Sequence, residues 1–455
     1  MADSATPLPS AVETQQQQQL CDVLVIGGGP AGSTIATLLH ERGWQVCLLD
    51  KDQHPRFHIG ESLLSMNLPI LERLGVSEQI KAIGVVKYGA EFGGAQEYPG
   101  QRHTIYFRNA MDKNHPYAYQ VRRAEFDHVL LQNCISRGVE VRQGMRVQEV
   151  VFRSGQRSLV RASDGQQTRH WEPRFVVDAS GRDTFLAGQL KLKQKNPKHQ
   201  SAALFGHFRQ VQQRPAQDAG NIGIYWFEHG WFWMIPLRDG VTSVGAVCWP
   251  EYLKTRRTDL ATFLQQTIAL CPEVAARMQQ AVPCDTIRAT GNFSYRARRM
   301  GGEGYLLVGD AFAFIDPVFS SGVYLAMNSA CLGAETVDHC LRDPARAPIL
   351  IKQFERRIRR GLQTVSWFIY RFTSPAMRQL FMHPRNTLRI EEAIISLLAG
   401  DVFRKTPIGF PLTVFKGIYW LVSARLAALS WHAYRRRKYN AQVSHGDSEQ
   451  SQDVV

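Results

Sequence analysis

Gly27-Gly28-Gly29-Pro30-Ala31-Gly32 is the feature that leaves this chain the fewest options. It follows the apolar run Asp22-Val-Leu-Val-Ile26 and opens a helical stretch, Ala31 to Arg42, that Gly43 ends; Gln45 to Asp50 then reads as a second strand. Strand, G-x-G-x-x-G turn, helix and strand within about thirty residues make a parallel β-α-β unit. In such a turn one glycine makes the bend, one lets the backbone approach a pyrophosphate, and one lets helix pack on strand. Free N–H groups at the helix start face the phosphates. Asp50 closes the second strand eighteen residues after Gly32, where a carboxylate accepts hydrogen bonds from a ribose. Gly27, Gly29, Ala31, Gly32 and Asp50 are therefore candidate dinucleotide-binding residues.

The order of the remaining elements sets the architecture. Residues 139–151 and 158–178 carry β-branched runs, the second closing at Asp178-Ala-Ser-Gly181. A late apolar strand, Gly304-Tyr-Leu-Leu-Val308, leads into Gly309-Asp310, and Asp310 supplies another acid for a ribose or ribityl hydroxyl. Between them, alternating aromatic and apolar positions at 225–236 and 242–249 suit a sheet. The expectation is an α/β chain with a Rossmann-like nucleotide-binding fold built from 21–190 and 291–350. A sheet-based substrate domain is inserted at 191–290, and a helical block follows at 351–440. A disordered leader (1–20) and tail (441–455) flank it.

Charge is concentrated in the last of these. Lys and Arg minus Asp and Glu is 54 − 40 = +14 for the 455 residues, and 351–440 alone holds 17 − 4 = +13. Solvated helix faces account for such a run, or else a docking surface for an acidic carrier protein or anionic lipid. Nucleic acid is set aside because no zinc-finger, helix-turn-helix or RNA-binding signature accompanies the charge. Leu412 to Trp431 is apolar and aromatic, with Arg435, Arg436, Arg437 and Lys438 behind it. It reads as a helix packed on the body or lying against a membrane surface. Lys416 and Arg425 interrupt it short of the roughly 18–20 residues of a spanning helix. The eight cysteines include no Cys-x-x-Cys pair, so no metal site or disulfide framework is expected. Residues 1–20 lack the basic start and apolar centre of a signal peptide, and a cytoplasmic protein, either soluble or peripheral to the inner membrane, is expected.

Four further motifs narrow the reading. They are His58-Ile59-Gly60-Glu61-Ser62-Leu63, Lys87-Tyr-Gly-Ala-Glu-Phe92, Trp231-Phe232-Trp233-Met234-Ile235-Pro236, and Gly309-Asp310-Ala311 followed by Asp316-Pro317 and Ser320-Ser-Gly-Val323. In this order residues 20–350 resemble the flavin-dependent halogenases within the FAD-dependent monooxygenases. The likeness is to those acting on phenols, pyrroles or carrier-bound aryl groups more than to the free-tryptophan enzymes. The resemblance implies FAD, supplied as FADH2 by a separate NAD(P)H flavin reductase, and chloride or bromide oxidised to hypohalous acid. It makes Lys87 the catalytic residue that holds the oxidant beside the aromatic substrate. Trp231 and Trp233 become a barrier between substrate and flavin. Arg123 (or its neighbour Arg122) is expected to touch the cofactor, and Ser321 and Gly322 to offer N–H donors at a helix start. Asp50 stands where this family more often has Glu, and no glutamate partner for Lys87 is identified, although Glu61 and Glu91 are near it in sequence. The alternatives are an FAD-dependent aromatic hydroxylase and an isoprenoid-type flavoprotein reductase, the latter leaving Lys87 and the tryptophan pair without a role. A pigment-complex scaffold that binds flavin idly is the non-enzymatic reading.

Overall fold

The computed structural model describes residues 19–196, 199–291 and 294–442. Most of the expected leader and tail lies outside these residues. Gln19 and Leu20, assigned to the leader, instead pair with Trp171 and Glu172, because the backbone ladder continues past the apolar run. Ala441 and Gln442, assigned to the tail, complete the last helix, Ala427–Gln442.

The first sheet has the strand order Gly301–Gly302, Tyr305–Leu307, Thr168–Asp178, Gln19–Ile26, Val46–Asp50, Glu140–Gln143. Registers Ile26 with Leu49, Ile26 with Asp178 and Asp178 with Leu307 bring the carboxyl ends of four parallel strands to one edge. Val23, Leu24 and Val25 are fully buried, as an unbroken apolar run requires when helices cover both faces. Pro30–His40 and Gly322–Arg342, far apart in the chain, lie on this sheet and start at that same edge.

A second sheet runs Val282–Pro283, Ala202–Arg209, Thr242–Cys248, Gly230–Pro236, Ile222–Phe227, Gly89–Gly93, Arg102–Tyr106. It therefore recruits two strands from residues 89–106, beyond the 191–290 expected for the inserted sheet. Alternation along Gly230–Pro236 divides its side chains. Phe232 and Met234 face a core shared with helix Leu260–Ala269, while Trp231, Trp233 and Ile235 face the opposite way. Gly245 lies across from Trp233, and a Cβ there would stand 2.2 Å from the indole, so the glycine makes room for the ring.

The C-terminal helices are not an appendage. Helices Ala347–Ile369, Pro375–Met382, Ile390–Leu398 and Gly409–Arg425 build one core with the Trp231 face of the second sheet. Phe372 is its centre, with ring centroids 4.8 Å from Trp226, 5.4 Å from Phe319 and 6.0 Å from Phe381, and its carbonyl oxygen accepts from the Trp226 indole N–H. Much of the basic charge is used internally, Arg359 pairing with Glu355, Arg378 with Glu97, Arg404 with Asp112 and Arg436 with Glu251. Phe372→Ala is expected to cost about 3–5 kcal/mol, read as a lowered denaturation midpoint. An unchanged midpoint contradicts the shared core.

Candidate functional site

The glycine-rich turn is built around close approach. Gly27 has φ +100°, and a Cβ on it would lie 2.6 Å from the Ala179 carbonyl oxygen. A Cβ on Gly32 would lie 1.8 Å from the Gly27 carbonyl oxygen, so Gly32 serves contact between helix and turn rather than an open surface. Gly29, by contrast, faces open space, its nearest neighbour being the Arg56 guanidinium at 3.6 Å from a built Cβ. The Gly28 N–H donates to Asp50 Oδ2 at 2.6 Å, and His54 Nε2 lies 3.2 Å from the same oxygen. Burial raises the Asp50 carboxyl, but these hydrogen bonds and Arg56 outweigh it and hold the pKa below the ordinary value.

Against this turn lies a cavity of about 810 Å³, inside the size range of ligand and cofactor pockets. Of the sequence candidates, Gly27, Gly29, Ala31, Asp50, Arg123, Asp310, Gly322, Trp231 and Trp233 line it. Gly32, Ser321 and Lys87 do not. Ser320, in the left-handed region at φ +56°, takes the lining position beside Gly322, while Ser321 stands at the helix start without a side-chain cap bond. Arg123 faces the cavity with its guanidinium clamped on Asp127 at 2.8 and 3.0 Å, whereas Arg122 points away to Asp239. Burial pushes the Asp310 carboxyl up to about 6 against the opposing charges of Arg182 and Arg123.

These residues fit a flavin dinucleotide. Gly29 and Gly322 leave open space where a side chain would intrude, and Arg56 and Arg182 add cationic groups on the same walls. Asp50 and Asp310 supply hydroxyl acceptors on either side. Arg56 and Arg182 were absent from the sequence reading; Arg182 follows directly on Asp178-Ala-Ser-Gly181, the signal that could have found it.

Lys87 ends the short strand Val85–Lys87 and is 2% exposed. Its Nζ donates to Ser62 Oγ at 2.9 Å and to the Leu63 carbonyl oxygen at 3.1 Å, and lies 5.3 Å from the centroid of Phe107. No acid among the described residues pairs with it, and burial alone lowers its pKa to about 7. Ser62 lines the cavity, so the ammonium sits one side chain behind the wall. Trp231 and Trp233 stand in that wall with ring centroids 6.1 Å apart, and the Trp233 indole N–H donates to Ser243 Oγ.

Glu61, beside Ser62, also lines the cavity and is 1% exposed. Its Oε1 meets His207 Nε2 at 2.9 Å, while Oε2 has no hydrogen-bond partner among the described residues. His207 Nδ1 lies 3.6 Å from Asp285, which Arg288 holds at 2.7 Å. Burial opposes the charge on His207, but Glu61 and Asp285 outweigh it and raise its pKa. Nothing local marks His207, which is 146 residues from Glu61. Glu91, the other acid considered for Lys87, is taken up by the Tyr225 hydroxyl and Arg214.

A sequence profile of the tryptophan halogenases matches residues 22–112 and 100–399. A tryptophan 2-halogenase of Chondromyces crocatus is 36% identical over 326 residues, covering 69% of this chain and 60% of that protein. A 1H-pyrrole-2-carbonyl-[peptidyl-carrier protein] chlorinase of Pseudomonas fluorescens is 29% identical over 405 residues, covering 84% of this chain and 89% of that one. Among solved structures, the myxobacterial chondrochloren halogenase superposes with a TM-score of 0.72 at 34% identity, over 85% of this chain and 91% of that chain.

The buried amine makes stability depend on pH. Between about 7 and the ordinary lysine value the unfolded chain holds a proton that the folded chain has released. Stability from this group therefore rises with pH across that window, by up to about 1.4 kcal/mol per unit. Lys87→Met is expected to be more stable than the parent at pH 7, with the gain shrinking toward pH 10, as read by denaturant midpoints. A gain that is constant with pH contradicts a lowered pKa.

Proposed function

Because the chain belongs to the tryptophan-halogenase family of flavin-dependent enzymes, we propose that it halogenates an electron-rich aromatic or aryl-polyene group in secondary-metabolite or pigment biosynthesis. FAD, delivered as FADH2 by a separate NAD(P)H-dependent flavin reductase, supplies with O2 the oxidising power that converts chloride or bromide to hypohalous acid. The chain's own residues confine and direct that oxidant.

Trp231 and Trp233 keep an aromatic substrate from the cavity, and only a species as small as HOX passes the wall. Lys87, behind Ser62, donates a hydrogen bond to the oxygen of HOX and makes its halogen more electrophilic. The ring carbon then forms the C–X bond and loses its proton while the oxygen leaves as water, so ArH and HOX become ArX and H2O. The ring proton passes to water, while Glu61, on the cavity side of the indoles, is coupled through His207 to the partly exposed Asp285 as a route for protons to the cavity. The single observation carrying this reading is Lys87: an ammonium group buried without a counter-ion among the described residues is costly, and hydrogen bonding to an oxidant gives it a use. A hydroxylase would need its substrate in the same cavity as the cofactor, which the two indoles wall.

The substrate is proposed to arrive on an acyl carrier protein. Support comes from the Pseudomonas fluorescens relative, named for a carrier-bound pyrrole and matched over 89% of its length. The test uses Lys87→Ala with flavin reductase, halide and carrier-bound or free aromatic acceptors. Halogenated product is expected to fall by about a hundredfold or more, with FAD binding and O2 consumption retained. Normal product from the variant overturns the assignment.

A further inference from the structure

Seventeen large apolar or aromatic side chains are exposed among the described residues, and seven of them fall between 410 and 439. Helix Gly409–Arg425 rests Leu412, Phe415 and Tyr419 on the body of the protein. It is exposed at positions 409, 410, 413, 417, 420, 421, 424 and 425, a stripe (Gly, Phe, Thr, Gly, Trp, Leu, Ala, Arg) that carries no charge until Arg425 at its end. The next helix, Ala427–Gln442, leaves at 104°. Its second half is anchored: Arg436 binds Glu251 and the Glu228 carbonyl oxygen, Arg437 binds the Tyr370 carbonyl oxygen, and Asn440 is buried. Its first half is held by none of these contacts, and the elbow between the helices presents Trp420 (56% exposed), Leu421 (73%), Leu429 (53%) and Trp431 (54%).

The charge around the elbow has one sign. Residues 402–446 contain eight Lys and Arg and no Asp or Glu. Arg425, Arg435 and Lys438 are exposed, with the Arg435 guanidinium 4.6 Å over the Trp431 ring. Neither helix alone is long and apolar enough to cross a membrane. An apolar aromatic elbow rimmed by cations, on helices too short to span, has the composition of an interfacial anchor. A second copy of this chain would bring like charges together. A carrier protein's acidic surface would pair with Arg425, Arg435 and Lys438 but leave the apolar side chains Phe410, Trp420 and Leu421 uncovered, whereas an anionic lipid surface takes both.

We infer that the elbow formed by Gly409–Arg425 and Ala427–Gln442 seats this protein on an anionic lipid surface. Trp420, Leu421, Leu429 and Trp431 enter the headgroup region while Arg425, Arg435 and Lys438 meet lipid phosphates. This holds whatever the chemistry of the cavity, so it stands or falls separately from the proposed activity.

The test is flotation of the full chain, loaded with FAD, with vesicles of phosphatidylcholine alone or mixed with phosphatidylglycerol. Flotation with the mixed vesicles at low ionic strength is expected, weakened by salt and absent with phosphatidylcholine alone. Arg425→Gln is expected to weaken it about fivefold. Trp420→Ser with Leu421→Ser should remove it while leaving the circular dichroism spectrum and bound flavin unchanged. Failure to float with anionic vesicles overturns the inference, as does equal binding to both compositions. Concentration-dependent dimerisation, or capture by a purified acyl carrier protein, that these substitutions abolish in the absence of any vesicle binding assigns the face to that partner and overturns it too.

Discussion

Removing an amine from water without an opposing charge is costly, and folding alone gives no reason to do it. Among the described residues Lys87 meets a hydroxyl, a carbonyl oxygen and the face of a phenylalanine ring, and its proton is correspondingly loose. Everything needed to hold it there comes from elements assembled around it. The strand Val85–Lys87 pairs with Ala118–Gln120, and Ser62 is fixed by a bridge to Gln120. The cavity wall thus has a buried amine directly behind it and a carboxylate, Glu61, facing into it.

The two sheets divide the labour. The first brings four strand ends and two helix starts to one edge, where backbone turns and short acids line the cavity. The second contributes Trp231 and Trp233, and their indoles are locked because the opposite face of the strand is itself core. The C-terminal helices press the aromatic cluster around Phe372 against that sheet, so the rigidity of these indoles depends on residues far from the cavity. A wall of this kind suits a reaction in which a small oxidant, rather than the substrate, moves between compartments.

The nucleotide half of the site was legible because its chemistry is local. Glycines that a Cβ would force apart, and acids that end strands, announce themselves within a few residues. The alternation of Trp231 and Trp233 likewise placed both on one face. What stayed hidden was partnership across the chain: His207 meeting Glu61, or Arg378, Arg404 and Arg436 meeting Glu97, Asp112 and Glu251. A charge count over 351–440 registers the cations but not the distant acids that consume them. The choice between Ser320 and Ser321 was equally beyond spacing, since it turns on one residue adopting positive φ.

Halide oxidation at this cavity is open to a direct test. The protein, loaded with FAD and reduced without oxygen, is mixed with O2 while the flavin spectrum is followed with and without bromide or chloride. The account predicts that halide changes the rate at which the oxidised spectrum returns, and that the change survives in Lys87→Ala because the amine acts after halide oxidation. A return indifferent to halide at every concentration contradicts it.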